Sequence, residues 1–245
     1  MAMRLIERAS PNFDNRRGGL RPELLVMHYT GMVSAAAALA RLVDPAAQVS
    51  CHYLVAEDGE ITQLVAESHR AWHAGAGFWR GRGDVNSRSI GIEIVNPGHE
   101  FGYRRFPAAQ IQAVAELSLA VMARHGIAAA GVIGHSDLAQ TRKLDPGELF
   151  PWPRLAEEGV GLYPPLDLRP NLNLAPLAIG AHGEQVAILQ MALANYGWSC
   201  PVTEVYDSAT WFAVVAFQRH FRPVRIDGVW DNDCAARLEW LAGTA

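Results

Sequence analysis

The chain has 245 residues, of which 50% are hydrophobic and 19% are charged, and its formal net charge is −4. This composition is typical of a globular protein, and its slight acidity argues against nucleic-acid binding, which needs a basic face. No apolar stretch approaches the length of a membrane-spanning helix, and the N-terminal segment lacks the apolar core of a signal peptide. We therefore expect a cytoplasmic protein without a membrane span.

Strand and helix patterns alternate through the first part of the chain. Short apolar runs that end in polar residues indicate strands buried on both faces of a sheet, and an Asp-Gly pair between two apolar runs indicates a hairpin. The fold class predicted is α/β (α+β), a mixed central β-sheet flanked by helices. Its predicted elements are a strand at 24–30, a helix capped by Ser34, a hairpin around Asp58 and Gly59, a strand at 89–95, a helix from Pro107 to Gly126, and a strand at 131–135.

A proline-rich stretch without helical periodicity separates this part from the rest and predicts a connector. We divide the chain into a domain at 1–155, a linker at 156–179 and a small three-helix module at 180–245. In the module, VYDSAT (205–210) and VWDNDC (229–234) share a Val-aromatic-Asp pattern. The pattern predicts that an acidic residue begins two of the helices.

Two histidines stand where predicted strands open into loops. His28 ends the apolar run LLVMH, His135 ends GVIGH, and Asp145 follows ten residues later, directly before Pro146. A single histidine of this kind is usually a hydrogen-bonded core residue. Two imidazoles and one carboxylate, however, form a common ligand set for catalytic zinc, with the fourth position left for water. The sequence alone leaves both interpretations open.

A rival metal pair is His69 and His73, which would share one face of a helix as metalloprotease ligands do. The glutamate that should follow the first histidine is missing, and Gly75 and Gly77 would break a helix there. The pattern therefore argues against this pair.

Two charged residues have alternative roles. Glu93 lies inside SIGIEIV, on the face opposite Ile90, Ile92 and Ile94. It belongs either to an edge strand, where its carboxylate would lie in water, or to a cleft, where it could serve as a general base. Lys143 is either a surface cation or a donor to the oxyanion of a tetrahedral intermediate.

Four motifs occur in the order LLVMHYTG, AWHAG, SIGIEIVNPG and GHSDLAQTRKLDPGELFPW. Over roughly residues 5–155 they make the chain resemble the type-2 N-acetylmuramoyl-L-alanine amidases, which include AmpD-like enzymes and are related to T7 lysozyme and the peptidoglycan recognition proteins. The resemblance implies a zinc amidase that cleaves the bond between the lactyl group of N-acetylmuramic acid and L-alanine. It implies one zinc ion held by His28, His135 and Asp145, with Glu93 and Lys143 as catalytic residues.

By the same resemblance, the substrate groove is expected to include Trp72, His73 and Asn86, with Tyr29 as a weaker candidate; Trp72 could equally be an apolar wall. The tail resembles a type-1 peptidoglycan-binding module, although its two Val-aromatic-Asp turns replace the usual glycine-rich ones. The expected partner is peptidoglycan or a muropeptide. A wall-binding module makes the periplasm or cell envelope the alternative location.

Two other functions are compatible with the sequence. One is a non-catalytic peptidoglycan receptor on the same fold, which loss of a zinc ligand would favour. The other is a metallopeptidase that cuts within the stem peptide, which the reaction products would distinguish from an amidase.

Overall fold

A computed structural model describes residues 5–170 and 174–244. Its eight strands are β1 Leu5–Glu7, β2 Phe13–Asn15, β3 Leu24–Tyr29, β4 Tyr53–Val55, β5 Ile61–Gln63, β6 His69–Ala71, β7 Ser89–Ile94 and β8 Val132–Gly134. Its α-helices are α1 Ala35–Val43, α2 Gly98–Phe101, α3 Ala108–His125, α4 His135–Leu138, α5 Trp152–Glu157, α6 Glu184–Tyr196, α7 Ser208–Phe221 and α8 Asn232–Thr244.

Six strands form the main sheet in the order β1-β5-β4-β7-β3-β8, and β2 pairs with β6 in a separate ribbon. All neighbours in the main sheet run parallel except the β4–β5 hairpin, which is antiparallel. The predicted mixed sheet flanked by helices is therefore confirmed. Because β3, β7 and β8 are parallel neighbours, their carboxyl ends lie at the same edge.

The sheet is covered on both faces, as the continuous apolar runs predict. In β3, Leu25 and Met27 pack into a core with α3, whereas Leu24 and Val26 face a second core on the other side. The apolar stripe of α3, formed by Ile111, Val114, Leu117 and Val121, lies in the first of these cores, and Gly126 ends the helix with a positive φ of 67°.

Three helices follow in the C-terminal part, as predicted. Each of the two Val-aromatic-Asp turns provides an N-cap. Asp207 accepts from the Thr210 N–H at 2.9 Å at the start of α7, and Asp231 accepts from the Cys234 N–H at 3.0 Å at the start of α8. A side-chain acceptor at this position pairs a backbone donor that the helix itself leaves free.

The C-terminal helices pack directly against the first part of the chain. Leu24, Val26 and Ile133 from the sheet belong to one continuous core with Val186 and Phe217 from α6 and α7. The predicted linker also contributes a buried residue, because Val160 lies in the α3 core beside Leu155. The domain boundaries at 155 and 180 remain a prediction, and apolar packing extends across them.

Trp79 lies at the centre of this contact. Its indole ring is fully buried, 5.2 Å from the Trp198 ring centroid, and Gly197 lets it approach because a Cβ there would overlap the indole. This indole therefore joins the two parts of the chain.

Within residues 5–170 and 174–244, no helix combines the length and apolar character needed to cross a bilayer. The three cysteines, Cys51, Cys200 and Cys234, are buried and free, as is usual for cysteines that serve as small apolar core residues.

Candidate active site

The predicted ligand residues meet at the carboxyl edge of the sheet. His28 is near the end of β3, and His135 follows the neighbouring β8 and begins α4. Asp145 reaches them from the next loop, whose position is fixed because the Ser136 N–H donates to the Asp145 carbonyl at 2.8 Å. Residues separated by more than one hundred positions in the chain are thereby brought together.

Three atoms of these side chains form a small triangle. His28 Nδ1 lies 2.9 Å from His135 Nδ1 and 3.1 Å from Asp145 Oδ2, and His135 Nδ1 lies 3.0 Å from that same oxygen. Each imidazole nitrogen carries at most one hydrogen, so the three contacts cannot all be well-aligned hydrogen bonds. Two nitrogens and one carboxylate oxygen facing a common point are the arrangement that a cation would satisfy.

The opposite ring nitrogens have hydrogen-bond partners that leave the Nδ1 atoms free to act as ligands. His135 Nε2 donates to the Ala74 carbonyl at 3.0 Å. His28 Nε2 lies 3.0 Å from His73 Nδ1, and His73 Nε2 lies 3.1 Å from the Ser89 hydroxyl, which itself donates to the Val85 carbonyl at 2.7 Å. Protonation of each Nε2 suits every one of these contacts. The same tautomer leaves both Nδ1 lone pairs available to a metal.

Burial and neighbouring charges set the protonation of the triangle. Burial, with the nearby His135, lowers the pKa of His28 to about 4, so this ring is neutral at pH 7. Burial alone would raise the pKa of Asp145, but its contacts with His135 and His28 hold it well below its usual range. Neutral imidazoles and an ionised carboxylate are the forms that bind metals.

Glu93 lies beside this triangle, because β7 pairs with β3 so that Glu93 is the register partner of His28. Burial raises the pKa of its carboxyl well above the ordinary range, and the Asp145 charge adds to this effect. Its Oε2 is buried and has no hydrogen-bond partner among the described residues. Glu93 is therefore in a cleft and not on an edge strand, because β4 and β3 flank β7 on both sides.

The ligand triangle opens into a cavity of about 460 Å³. Glu93 and Lys143 line this cavity, as do Trp72 and Tyr29. Trp72 is partly exposed there and is held by a hydrogen bond from its indole N–H to Asp14 at 3.1 Å.

The other two predicted substrate residues have different surroundings. His73 touches the cavity, but its ring nitrogens already contact His28 and Ser89. Asn86 is buried and does not line the cavity; its amide oxygen accepts from the backbone N–H groups of His73 and Ala74. This geometry favours a supporting role for both residues, because they fix the segment that contacts the two predicted ligand histidines, His28 and His135.

Some supporting residues were not found from the sequence. Ser89 anchors His73, and Gly91 makes room for the His73 ring because a Cβ at Gly91 would overlap it. A glycine inside a strand is a known sign of close approach by another group, so Gly91 offered a usable signal. Ser89 offered none. The rival pair is ruled out by geometry, since His69 lies in strand β6 and not on a helix.

Two protein families match the chain, one in each of its two parts. The family described as "N-acetylmuramoyl-L-alanine amidase" matches residues 18–148, just over half of the chain. The chain belongs to this family. The family described as "Putative peptidoglycan binding domain" matches residues 182–238. The enzyme class and the two-part composition predicted from the sequence are thereby confirmed.

Two individual relatives match different shares of the chain. N-acetylmuramoyl-L-alanine amidase AmiD of Escherichia coli K12 is 37% identical over 97% of this chain and 90% of its own. The 1,6-anhydro-N-acetylmuramyl-L-alanine amidase AmpD of the same organism is 34% identical over 59% of this chain and 86% of its own.

Solved structures extend the likeness to the fold. AmiD from E. coli, in complex with the substrate anhydro-N-acetylmuramic acid-L-Ala-D-γ-Glu-L-Lys, matches with a TM-score of 0.78 and 35% identity, covering 95% of this chain and 98% of that one. AmpDh3 from Pseudomonas aeruginosa, in complex with anhydromuramic pentapeptide, matches with a TM-score of 0.71 and 30% identity, covering 95% and 93%.

Proposed function

We propose that this amidase is zinc-dependent and hydrolyses the amide bond between the lactyl group of N-acetylmuramic acid, in its ordinary or anhydro form, and L-alanine of the stem peptide. The observation that carries the proposal is the ligand triangle. One atom each from His28, His135 and Asp145, all buried, lies within 4.8 Å of the others, and His135 and Asp145 line the cavity.

The donor set fits one zinc ion. Tetrahedral zinc with nitrogen and oxygen ligands at about 2.0–2.2 Å separates its ligands by roughly 3.4 Å. The triangle edges of 2.9–3.1 Å are close to this value. Three protein ligands leave a position for water or substrate, as in catalytic zinc sites. When bound, zinc would polarise the amide carbonyl and make water a stronger nucleophile.

Glu93 is proposed to move the proton. A carboxyl with a raised pKa, beside the ligand triangle, can take a proton from the attacking water and hold it. The same carboxyl then returns this proton to the alanine nitrogen as the C–N bond breaks, so that the leaving group departs as a neutral amine. The products are a lactyl carboxylate on the sugar and a free amino terminus on the peptide.

Lys143 is proposed to stabilise the charge that develops on the carbonyl oxygen. It lines the cavity two residues before Asp145, and its backbone N–H donates to the Ala139 carbonyl at 3.0 Å, which fixes the start of the side chain. A cation that faces a developing oxyanion stabilises the transition state more than the neutral ground state.

Trp72 and Tyr29 are the proposed substrate-binding residues with direct access to the cavity. Tyr29 is held by His99, since its hydroxyl lies 2.9 Å from His99 Nδ1. A flat indole and a phenol present apolar faces that suit a sugar ring, together with polar edges for its hydroxyls. His73 and Asn86 are proposed to act behind them, on the ligand histidines.

The C-terminal module is proposed to bind peptidoglycan, with domains at 1–155 and 180–245 and a linker between them. The match at 182–238 supports this proposal. The cytoplasm remains our prediction for the location, and fractionation of cells into cytoplasm and envelope would test it.

Mass spectrometry of the reaction products tests the function. Anhydro-muropeptides and intact peptidoglycan are digested in parallel, each with and without a chelator. We expect a free lactyl carboxylate on the sugar, and no product after chelation. Products that retain lactyl-alanine would indicate a stem-peptide metallopeptidase. Binding of muropeptide without any cleavage would indicate a receptor.

A further inference from the structure

Helix α7 of the C-terminal module contacts the short helix that carries a proposed zinc ligand. Asp137, on α4, places its Oδ2 2.8 Å from His220 Nδ1 on α7. Both side chains are almost completely buried, with exposures of 0% and 3%. Because a carboxylate oxygen accepts, the imidazole Nδ1 is the donor.

Asp137 connects this contact to the proposed ligand His135. The same Oδ2 accepts from the Gly134 N–H at 2.7 Å, so that Asp137 caps the helix that begins at His135. Between them, the Ser136 N–H donates to the Asp145 carbonyl. Asp137 is therefore connected to His135 through the backbone of residues 134–137, and this backbone is bonded to Asp145 through the Ser136 N–H. His220 donates a hydrogen bond to the Asp137 carboxylate from outside this segment.

The His220 ring is itself held firmly. It stacks on Trp152, with ring centroids 3.8 Å apart and planes 23° apart. Its neighbour Arg219 lies 3.9 Å from Glu148, in the loop that carries Asp145. Two successive residues of α7 therefore contact the segments on which two of the three proposed ligands lie.

We propose that His220 is a positioning residue for the metal site, acting through Asp137 on His135. The proposal rests on the proposed function, since it assumes that His135 binds zinc. Residues that support metal ligands from outside the coordination sphere typically change metal affinity or activity about 10–100-fold when they are replaced. The C-terminal module would then contribute to zinc binding as well as to any contact with the cell wall.

Two crossed substitutions separate the hydrogen bond from the ring stacking. His220→Phe keeps an aromatic ring against Trp152 but removes the Nδ1 donor. His220→Asn loses the ring but can place an amide N–H close to the former Nδ1 position. Arg80→Ala is the matched control, because it removes a different bond between the two parts, from Arg80 Nε to the Tyr196 carbonyl at 3.3 Å.

The measurement is the zinc dissociation constant of each full-length protein, obtained by competition with a chromogenic chelator, together with thermal unfolding of each variant. We expect His220→Phe to bind zinc about 10–100-fold more weakly. We expect His220→Asn and Arg80→Ala to stay close to the wild-type affinity. Recovery by asparagine is an outcome that simple loss of packing would not give.

Wild-type affinity in His220→Phe would overturn the proposal, and so would equal weakening in both His220 variants, since the ring would then be what matters. If His220→Phe does not fold, His220→Asn decides: near-wild-type affinity supports the proposal and a tenfold loss contradicts it. A wild-type protein without zinc affinity would overturn the proposed function first, and this proposal with it.

Discussion

Two polar side chains, Gln190 in the C-terminal module and Glu93 at the cavity of the first part, differ in how far their buried polar atoms are paired. In the C-terminal module, the Gln190 amide oxygen accepts from the N–H groups of Thr203 and Glu204, and its nitrogen donates to the Val205 carbonyl and the Thr210 hydroxyl. At the cavity, Glu93 lies in an apolar strand with Oε2 unpaired among the described residues, and its pKa is raised.

The difference indicates what each polar group does. A buried amide with all its partners stabilises a turn and fixes the fold. A buried carboxyl without enough partners costs stability, and such groups are characteristic of catalytic sites. The two aspartates Asp207 and Asp145 repeat the contrast, because the first caps a helix and the second faces two imidazoles.

The largest effect is expected from Asp145→Ala, with Asp207→Ala as its partner. Loss of Asp145 removes one of three proposed ligands, so zinc binding and amidase activity should both disappear. Loss of the Asp207 cap should cost about 1 kcal/mol of stability and leave activity intact. Turnover of a muropeptide and the free energy of unfolding are measured for both. Full turnover in Asp145→Ala would remove this residue from the site.

Glu93→Gln should retain zinc and lose about 10²–10⁴-fold in kcat, the usual contribution of general acid–base catalysis. An unchanged kcat would show that Glu93 does not transfer the proton.

The same substitution has a pH-dependent effect on stability. The folded-state pKa of Glu93 is raised above its ordinary value of 4.5, so the folded protein binds this proton more tightly than the unfolded chain. The stability contributed by Glu93 therefore falls as the pH rises above about 4.5. Metal-free Glu93→Gln should be more stable than metal-free wild type at pH 7, and this advantage should shrink towards pH 4.5. Chemical denaturation at both pH values tests the sign, and a less stable variant at pH 7 would contradict it.

Gln190→Leu should show the smallest effect on chemistry. The substitution keeps the volume but removes the acceptor of the Thr203 and Glu204 N–H groups and the donor to the Val205 carbonyl and the buried Thr210 hydroxyl, at about 0.5–1.5 kcal/mol for each hydrogen bond. The unfolding midpoint should fall while kcat of the folded, zinc-loaded enzyme stays unchanged. A large loss of kcat at a temperature where the variant is folded would contradict the purely structural role of Gln190.

The sequence predicted the elements whose residues interact locally. The strand ends at His28 and His135, the Ser34 and Gly126 helix boundaries and the Asp58-Gly59 hairpin all follow from short patterns, and the structure has each of them. That Glu93 would lie in a cleft, and not on an edge strand, required the strand order, which no local pattern contains.

Contacts between distant segments were not predictable. The strands β1, β2 and β6 have three residues each, too few for a periodic pattern. The contact between Asp137 and His220 joins positions 83 residues apart, and either residue alone has the character of an ordinary surface group. A proline-rich connector likewise predicts two separate domains, whereas apolar residues such as Val26 and Phe217 share one core.

The central claim is that three residues at one sheet edge hold a single zinc ion. The most direct test is the zinc content of the purified protein after saturation and dialysis, measured by elemental analysis for the wild type and for His28→Ala. We predict one zinc per wild-type chain and none in the variant. Stoichiometric zinc in His28→Ala, or none in the folded wild-type protein, would contradict the account.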